Sequence, residues 1–99
     1  MKKRLILAAT LAAFAGAPAA QADTVKIGFI NTFSGGLAVF GKPQKDAVEL
    51  ALDHLGRKLG GLDVEMVYGD DQVKPDVGRQ VAVQMLQKDK VDFVTGIIW

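Results

Sequence analysis

One segment of the sequence has the glycine spacing of a phosphate-binding loop. Residues 36–42 read GLAVFGK, which matches the G-x-x-x-x-G-K part of that motif between a predicted strand and a predicted helix. The motif then needs Ser or Thr to hold magnesium, and Pro43 stands at that position. The side chains of residues 37–40 would also occupy space at positions where the loop backbone must approach a phosphate closely. We therefore expect no nucleotide hydrolysis, and the G-x-G-x-x-G spacing of dinucleotide sites is absent before the helix.

The other side chains with catalytic or metal-binding chemistry lack the partners that such chemistry needs. His54 is the single histidine, Ser34 is the single serine and no cysteine occurs, so a hydrolytic triad, a thiolate metal site and a disulfide framework are not expected. Asp70 and Asp71 are adjacent carboxylates that could coordinate a cation, but acidic residues commonly begin a turn before a helix. We interpret the pair as a structural turn. The sequence therefore predicts a non-enzymatic protein with no metal and no cofactor.

The elements that must position any site alternate between strand and helix patterns. Residues 25–31 (VKIGFIN) are β-rich and largely apolar, which is typical of a strand covered on both faces. Residues 62–68 alternate between apolar and mostly acidic side chains, which is typical of a strand nearer a sheet edge. Pro43 suits the first turn of a helix, and Gly60 and Gly61 suit its end. The predicted elements are strand 25–31, helix 42–59, strand 62–68, helix 75–88 and strand 91–98.

The order βαβαβ predicts an α/β fold with a doubly wound parallel sheet. Crossovers of helical length require right-handed connections, and the expected strand order is 2-1-3. Both helices carry apolar residues at three- and four-residue spacing, as a helix packed on a sheet should. The last strand has no covering helix, so we interpret the unit as an incomplete domain. The predicted buried stripes are Val48, Ala51, Leu52, Leu55 and Leu59 on the first helix, and Gly78, Val81, Ala82, Met85 and Leu86 on the second.

The first 22 residues have the pattern of an export signal. Residues 2–4 are basic, residues 5–17 are an apolar run, and residues 20–22 (Ala-Gln-Ala) fit a signal peptidase site. The run is shorter than the roughly 20 residues that cross a hydrocarbon core, so we expect cleavage after Ala22 rather than anchoring. The mature chain, residues 23–99, keeps nine basic and 11 acidic side chains, a net charge of −2. We therefore expect a periplasmic protein that does not bind nucleic acid.

The predicted sheet brings two segments together at one point. Ligands of open α/β sheets bind beyond the carboxyl ends of the strands where the strand order switches, which here lies between the first and third strands. The loop at residues 32–41 contributes Ser34 and Phe40, and the segment after Gly96 contributes Trp99. Free amides and Ser34 suit a ligand carboxylate, and the two aromatic rings suit stacking on its apolar part. The alternative for each aromatic side chain is ordinary core or hinge packing.

The order and spacing of these motifs resemble the amino-terminal part of branched-chain amino-acid (leucine-binding) type solute-binding proteins of ABC importers. The matching stretches are residues 25–28 with Ser34-Gly35 and Gly41, residues 46–53 (DAVELALD), Gly60-Gly61, residues 70–72 (DDQ) with Pro75, and residues 90–96 (KVDFVTG). The resemblance implies the type I periplasmic binding fold, of which this chain would be part of the first lobe. It also implies a two-lobed clamp that closes on an amino acid or a related small carboxylate.

The resemblance further implies site residues and partners. The family's aromatic residue before the glycine at the end of the first loop lines the cleft, and Phe40 holds that position. A serine shortly after the glycine of the third strand grips the ligand carboxylate in the family, and this chain ends before it, at Trp99. The departures at residues 32–34 (TFS) and 53–56 (DHLG), together with Trp99, favour a subgroup that takes aromatic or other non-amino-acid carboxylates.

The partner implied by this resemblance is an inner-membrane ABC permease, with the binding protein acting as a monomer. Two alternatives from other classes remain. One is a ligand-sensing domain of a receptor or regulator with the same fold. The other is an exported α/β enzyme whose nucleophile or acid–base pair lies outside these residues.

The export signal gives a first testable prediction. The protein recovered from the periplasm should begin at Asp23, because the small residues Ala20 and Ala22 lie three positions and one position before the expected cleavage point. Amino-terminal sequencing and intact mass check this. Recovery of a chain that still begins at Met1 would contradict the assignment of residues 1–22 as a cleaved signal.

Overall fold

A four-stranded sheet with a helix on each face makes up residues 23–98, which are the residues that the computed structural model describes. The predicted signal peptide and Trp99 lie outside the described residues. No helix among those described combines the length and the apolar character needed to cross a membrane. The elements are β1 (Thr24–Asn31), α1 (Ala38–His54), β2 (Lys58–Leu59), β3 (Leu62–Asp70), α2 (Pro75–Gln87) and β4 (Phe93–Gly96).

The strand order confirms the predicted topology. The sheet runs β2-β3-β1-β4, and β1 pairs in parallel with both β3 and β4. The predicted order 2-1-3 is therefore present as β3-β1-β4, with the first strand in the middle. The short strand β2 was not predicted, and it pairs antiparallel with the start of β3 through a turn at Gly60 and Gly61. Both glycines have positive φ values, 56° and 82°, which such a tight turn requires.

Helix α2 packs closely on one face of the sheet because two strands present glycines to it. Ile30, Met85 and Val91 form the buried cluster on this face. A Cβ atom on Gly28 would lie 2.7 Å from Sδ of Met85, and one on Gly69 would lie 2.2 Å from Cγ1 of Val81. Any larger residue in β1 or β3 at these positions would push the helix outward. Helix α2 ends one residue before the predicted position, and its predicted start at Pro75 is confirmed.

Helix α1 covers the opposite face and begins four residues earlier than predicted. A turn starts it, in which the N–H of Ala38 donates to the carbonyl of Gly35 at 3.2 Å. The proline rule placed Pro43 in the first turn, whereas the structure has this residue inside the helix. The early start matters because it brings Gly41 into the helix, next to the end of β1.

Helix α1 also ends earlier than predicted, at His54 instead of residue 59. The N–H of Arg57 donates to the carbonyl of Leu52 at 2.7 Å, and the N–H of Gly56 donates to Asp53 at 3.1 Å. With Gly56 at φ 65°, this is a Schellman end. The apolar spacing of Leu55 and Leu59 continued past this end, which is why the pattern predicted a longer helix.

The predicted buried stripes are only partly correct, because Ala51 in the centre of the α1 stripe is exposed, as are residues at the stripe edges. Leu52 and Met85 are buried, but Leu55, Leu59 and Leu86 are 56%, 38% and 49% exposed. Leu59 belongs to β2 rather than to the helix, and Leu86 is turned by about 100° from Met85 on α2. An open apolar cavity of about 350 Å³ lies between α1 and the sheet. Its lining is Ile27, Phe29, Val48, Ala51, Leu52, Leu55, Leu59, Met66, Phe93 and Thr95.

The close packing of α2 predicts the effect of adding a methyl group. Gly69→Ala should lower the free energy of unfolding by about 1–3 kcal/mol, because the new Cβ atom would overlap the branched side chain of Val81. Val81→Ala in the same background should recover part of the loss. Gly36→Ala is the matched control, since nothing lies within 4 Å of its added atom. Urea unfolding of the full-length protein measures these differences, and equal stability of the Gly69 and Gly36 variants would contradict the packing argument.

Candidate ligand-binding site

Three chain segments meet at the carboxyl ends of the parallel strands. The loop at residues 32–37 follows β1, the turn at residues 71–74 follows β3, and Ile97 follows β4. The N–H of Asp71 donates to the carbonyl of Asn31 at 3.1 Å, and the N–H of Ile97 donates to Ile30 at 2.7 Å. Both neighbouring segments are therefore bonded to the end of β1. This edge is the switch point at which open α/β sheets bind ligands.

The end of β1 is polar and fully buried. Asn31 and Thr32 are both 0% exposed. The side chain of Asn31 accepts the N–H of Thr32 at 2.8 Å and donates from Nδ2 to Oε1 of Gln44 on α1 at 2.8 Å. The hydroxyl of Thr32 donates to Oδ1 of Asp71 at 2.6 Å. The start of the loop is thus bonded to α1 on one side and to the turn after β3 on the other.

Asp70 and Asp71 form a hydrogen-bonded turn, in line with the interpretation from sequence. Oδ1 of Asp70 accepts the N–H of Gln72 at 3.0 Å, and Oδ1 of Asp71 accepts the N–H of Val73 at 2.9 Å. The same Asp70 oxygen also accepts the N–H of Phe33 at 2.9 Å, across the sheet edge. Sequence reasoning missed this second role. The one available signal was an acidic pair directly after a strand that neighbours the first loop.

The carboxylate of Asp70 is stabilised in its ionised form. Burial acts to raise its pKa, but hydrogen bonds from Ser34 and from the N–H groups of Phe33 and Gln72 outweigh that effect and hold the pKa below its usual value. Across residues 23–98, no buried side-chain nitrogen or oxygen lacks a hydrogen-bond partner. The loop is therefore attached to a charged acceptor at neutral pH.

Gly41 sets how closely α1 approaches this edge. A Cβ atom at Gly41 would lie 1.8 Å from the carbonyl oxygen of Thr32 and 3.1 Å from Oδ1 of Asn31. The helix backbone therefore rests directly on the end of β1. Phe40 precedes this contact in the first turn of α1, and its side chain is 54% exposed.

The structure gives the position of two of the three predicted ligand-binding residues. Ser34 is exposed in the loop after β1, and Phe40 lies at the other end of that loop, so both are at the switch-point edge. Trp99 lies outside the described residues, although Ile97, two positions earlier, is beside the end of β1. The ligand-binding roles of all three stay predictions.

An aromatic cluster that the sequence did not reveal lies beneath the loop. The rings of Phe29, Phe33 and Tyr68 have centroids 5.9–6.5 Å apart, and Nζ of Lys45 lies 4.5 Å from the centroid of the Tyr68 ring. The hydroxyl of Tyr68 donates to Glu49 on α1. Burial, together with this hydrogen bond, raises the pKa of Tyr68 well above its usual value, and the same bond lowers the pKa of Glu49. The cluster joins the loop to α1 and β3.

A second cavity, of about 300 Å³, adjoins the edge on the α2 face. Neither Ser34 nor Phe40 lines it, because the first loop leads to α1 on the other face. Its lining is Ile30, Asp71, Lys74, Pro75, Gly78, Arg79, Ala82, Val94 and Ile97. Within the described part of the chain, no three acidic or histidine side chains gather in a way that could hold a metal ion.

The sheet and its loops form the open α/β arrangement in which small molecules bind beyond the carboxyl ends of the strands. A sequence model of the family described as periplasmic binding protein matches residues 24–99. The chain therefore belongs to the periplasmic binding protein family, which confirms the resemblance drawn from its motifs.

The curated relatives are named for branched-chain amino acids. Leu/Ile/Val-binding protein homolog 6 of Brucella abortus is 35% identical over 95 residues, which is 95% of this chain and 24% of the relative. Leu/Ile/Val-binding protein BraC3 of Rhizobium johnstonii is 32% identical over 98 residues, which is 97% of this chain and 26% of the relative. The chain thus spans about a quarter of the length of the curated relatives it matches.

Several of the solved structures that match are solute-binding proteins of ABC transporters. One from Rhodopseudomonas palustris BisB5, in complex with 3,4-dihydroxybenzoic acid, has a TM-score of 0.69 and 32% identity over 73% of this chain and 20% of its own. A second, from R. palustris with benzoate, has a TM-score of 0.71 and 28% identity over 76% of this chain and 21% of its own. A third, from R. palustris with 4-hydroxybenzoate, has a TM-score of 0.67 and 36% identity over 73% of this chain and 20% of its own. These matches confirm the predicted fold class, the first lobe of a type I periplasmic binding protein.

The charged anchor of the loop predicts a pH-dependent stability difference. Asp70→Asn should lower the free energy of unfolding at pH 7 by about 1 kcal/mol, because a neutral amide accepts hydrogen bonds less strongly. The lowered pKa of Asp70 means that its contribution is present above about pH 4, the usual range for aspartate, and is lost as the pH falls through the folded-state value.

Unfolding of the full-length protein at several pH values measures this difference. Asp76→Asn is the matched control, since that side chain is 88% exposed and loses the same charge. If Asp70→Asn lowered the free energy of unfolding by the same amount at pH 7 and pH 3, the proposed role of the ionised carboxylate would be contradicted.

Proposed function

We propose that this chain is part of the extracytoplasmic substrate-binding component of an ABC importer, exported to the periplasm, whose ligand is a small aromatic carboxylate. The observation that carries the proposal is the match to three solute-binding proteins at 28–36% identity, whose structures hold benzoate-type acids. A branched-chain amino acid is the second candidate, because the curated relatives are named Leu/Ile/Val-binding proteins.

The chemistry of the switch-point edge supports a ligand that has a ring and a carboxylate. Phe40 offers an exposed aromatic face at the end of the loop, where an aromatic ring can stack on it. Helix α1 begins beside it, with no side-chain cap and no acidic residue in its first turn. The positive end of the helix dipole at that position favours a carboxylate.

The proposed mechanism is binding by closure rather than reaction. The described residues hold this lobe's loops in place, and a second lobe would close over the ligand and exclude water from it. No nucleophile with an adjacent base is needed for such a role, so we assign no catalytic residue. The importer role is preferred to a receptor role because the ligand-bound structural relatives are solute-binding proteins of ABC transporters.

Each proposed site residue has a separate task. Phe40 would stack on the ligand ring, and Ser34, in the exposed loop, would hydrogen-bond a polar group of the ligand. Trp99 would add a second aromatic surface from the segment after β4. The protein would act as a monomer that delivers its ligand to an inner-membrane permease.

A ligand screen tests the proposal. Benzoate and 4-hydroxybenzoate should raise the thermal unfolding temperature of the full-length protein, because a ligand at 100 times its Kd stabilises the folded state by about 2.7 kcal/mol. Leucine is the comparison ligand. Stabilisation by leucine alone would refute the aromatic-acid assignment, and stabilisation by neither class would refute the solute-binding proposal.

The stacking role of Phe40 has its own test. Phe40→Ala should raise the Kd for the aromatic acid about 10-fold or more, since a buried aromatic contact is lost. Val39→Ala is the matched control, because Val39 is adjacent and 66% exposed, and its Kd should stay within about twofold of the wild type. Titration calorimetry measures both values, and equal effects of the two variants would rule out a specific stacking contact.

A further inference from the structure

The segment from Ser34, in the loop after β1, to Phe40, in the first turn of α1, has no packing of its own at its tip. Nothing lies within 4 Å of an added Cβ atom at Gly35 or Gly36, and residues 34–36 are exposed. A loop of this kind takes its position from its two ends. The proposed ligand contacts depend on that position, because Ser34 and Phe40 lie near those ends.

Both ends of the loop are fixed by contacts that are buried or partly buried. At the first end, the hydroxyl of Thr32 bonds to Asp71 at 2.6 Å and the N–H of Phe33 bonds to Asp70 at 2.9 Å. At the second end, Gly41 lies against the carbonyl of Thr32, and Asn31 bonds to Gln44 on α1 at 2.8 Å. Ser34 directly follows the first fixed point, and Phe40 directly precedes the second.

Three of the residues that make these contacts are buried away from solvent. Asn31 and Thr32 are 0% exposed and Asp71 is 6% exposed. Burying three polar side chains at the end of a strand costs free energy unless each is hydrogen-bonded, and here each one is. Their bonds run from β1 to the turn after β3 and to α1, which are the elements that enclose the loop.

We propose that Asn31, Thr32, Asp70 and Asp71, together called the polar clamp, are positioning residues that fix Ser34 and Phe40 before the ligand arrives. The proposal rests on the proposed function. A fixed loop does not have to be ordered during binding, and ordering a side chain costs affinity. Without the clamp the same contacts form, but the Kd rises because the loop must first be brought into place.

The test compares Thr32→Val with Thr32→Ser in the full-length protein. Valine keeps the shape and removes the hydroxyl, so the Kd for 4-hydroxybenzoate should rise about 10-fold, the effect of ordering one or two side chains at binding. Serine keeps the hydroxyl, so its Kd should stay within about threefold of the wild type. Calorimetric titration well below the unfolding temperature of every variant gives these values.

A stability control separates positioning from general weakening of the fold. Val91 is buried in the same domain, but it precedes β4 and therefore lies at the opposite end of the strands from the loop. Val91→Ala should lower the unfolding temperature without changing the Kd. Amide hydrogen exchange adds a second readout, in which Thr32→Val should speed exchange within residues 33–40 and Val91→Ala should not.

The outcomes distinguish the two proposals. The clamp proposal would be overturned if Thr32→Val and the wild type had equal Kd values. It would also be overturned if Val91→Ala raised the Kd as much as Thr32→Val does. If the wild type binds no aromatic acid, the proposed function fails, and the exchange of residues 33–40 still decides whether the clamp holds the loop. If Thr32→Val does not fold, Asp70→Asn replaces it. This variant keeps the shape of the side chain and weakens the hydrogen bonds that Asp70 accepts from Phe33, Gln72 and Ser34, so its Kd should rise about threefold or more.

Discussion

The parallel pairing of β1 with strands on both sides is the constraint on which the rest of the structure depends. Eight residues of β1 pair with β3, and four of them also pair with β4. Parallel strands must be joined by crossovers, which place α1 and α2 on the two faces and leave the strand ends open. The carboxyl ends of all three strands therefore lie at one edge, and every loop that follows a strand gathers there.

Close backbone contacts and buried polar groups complete that edge together. Gly41 lets α1 rest on the carbonyl of Thr32, and Gly96, at φ 110°, lets the chain leave β4 against the carbonyl of Ile30. The apolar core ends at Ile30, and the next two residues, Asn31 at the end of β1 and Thr32 at the start of the loop, are polar and buried. A buried polar group is stable only when it is hydrogen-bonded. The hydrogen bonds that these two residues need also attach the first loop to α1 and to the turn after β3.

The charged and polar groups at the edge are used in holding the chain, as with Asp70 and Asp71. The aromatic cluster of Phe29, Phe33 and Tyr68 gives the loop a rigid base on the α1 face. A rigid lobe with an exposed loop lowers the ordering cost of capturing a small ligand, which is what a solute-binding protein requires.

Much of the fold follows from local patterns in the sequence. The apolar run of β1, the alternation in β3 and the proline at the start of α2 are properties of neighbouring residues. Crossovers of helical length indicate parallel strands with right-handed connections. The bounds of α1 did not follow in this way. Leu55 and Leu59 continue the helical spacing, whereas the Schellman end depends on backbone bonds made by Gly56 and Arg57.

The motifs of the first loop were visible in the sequence, as was the presence of Ser34 and Phe40 within it. How that loop is held was decided only by the tertiary structure. The bond between Thr32 and Asp71 joins residues 39 positions apart, and neither residue type signals the other. In the sequence, each of the two is an ordinary turn or strand-end residue. Their hydrogen bond, 2.6 Å between donor and acceptor, forms only when the sheet places β3 beside β1, and spacing along the chain cannot specify that distance.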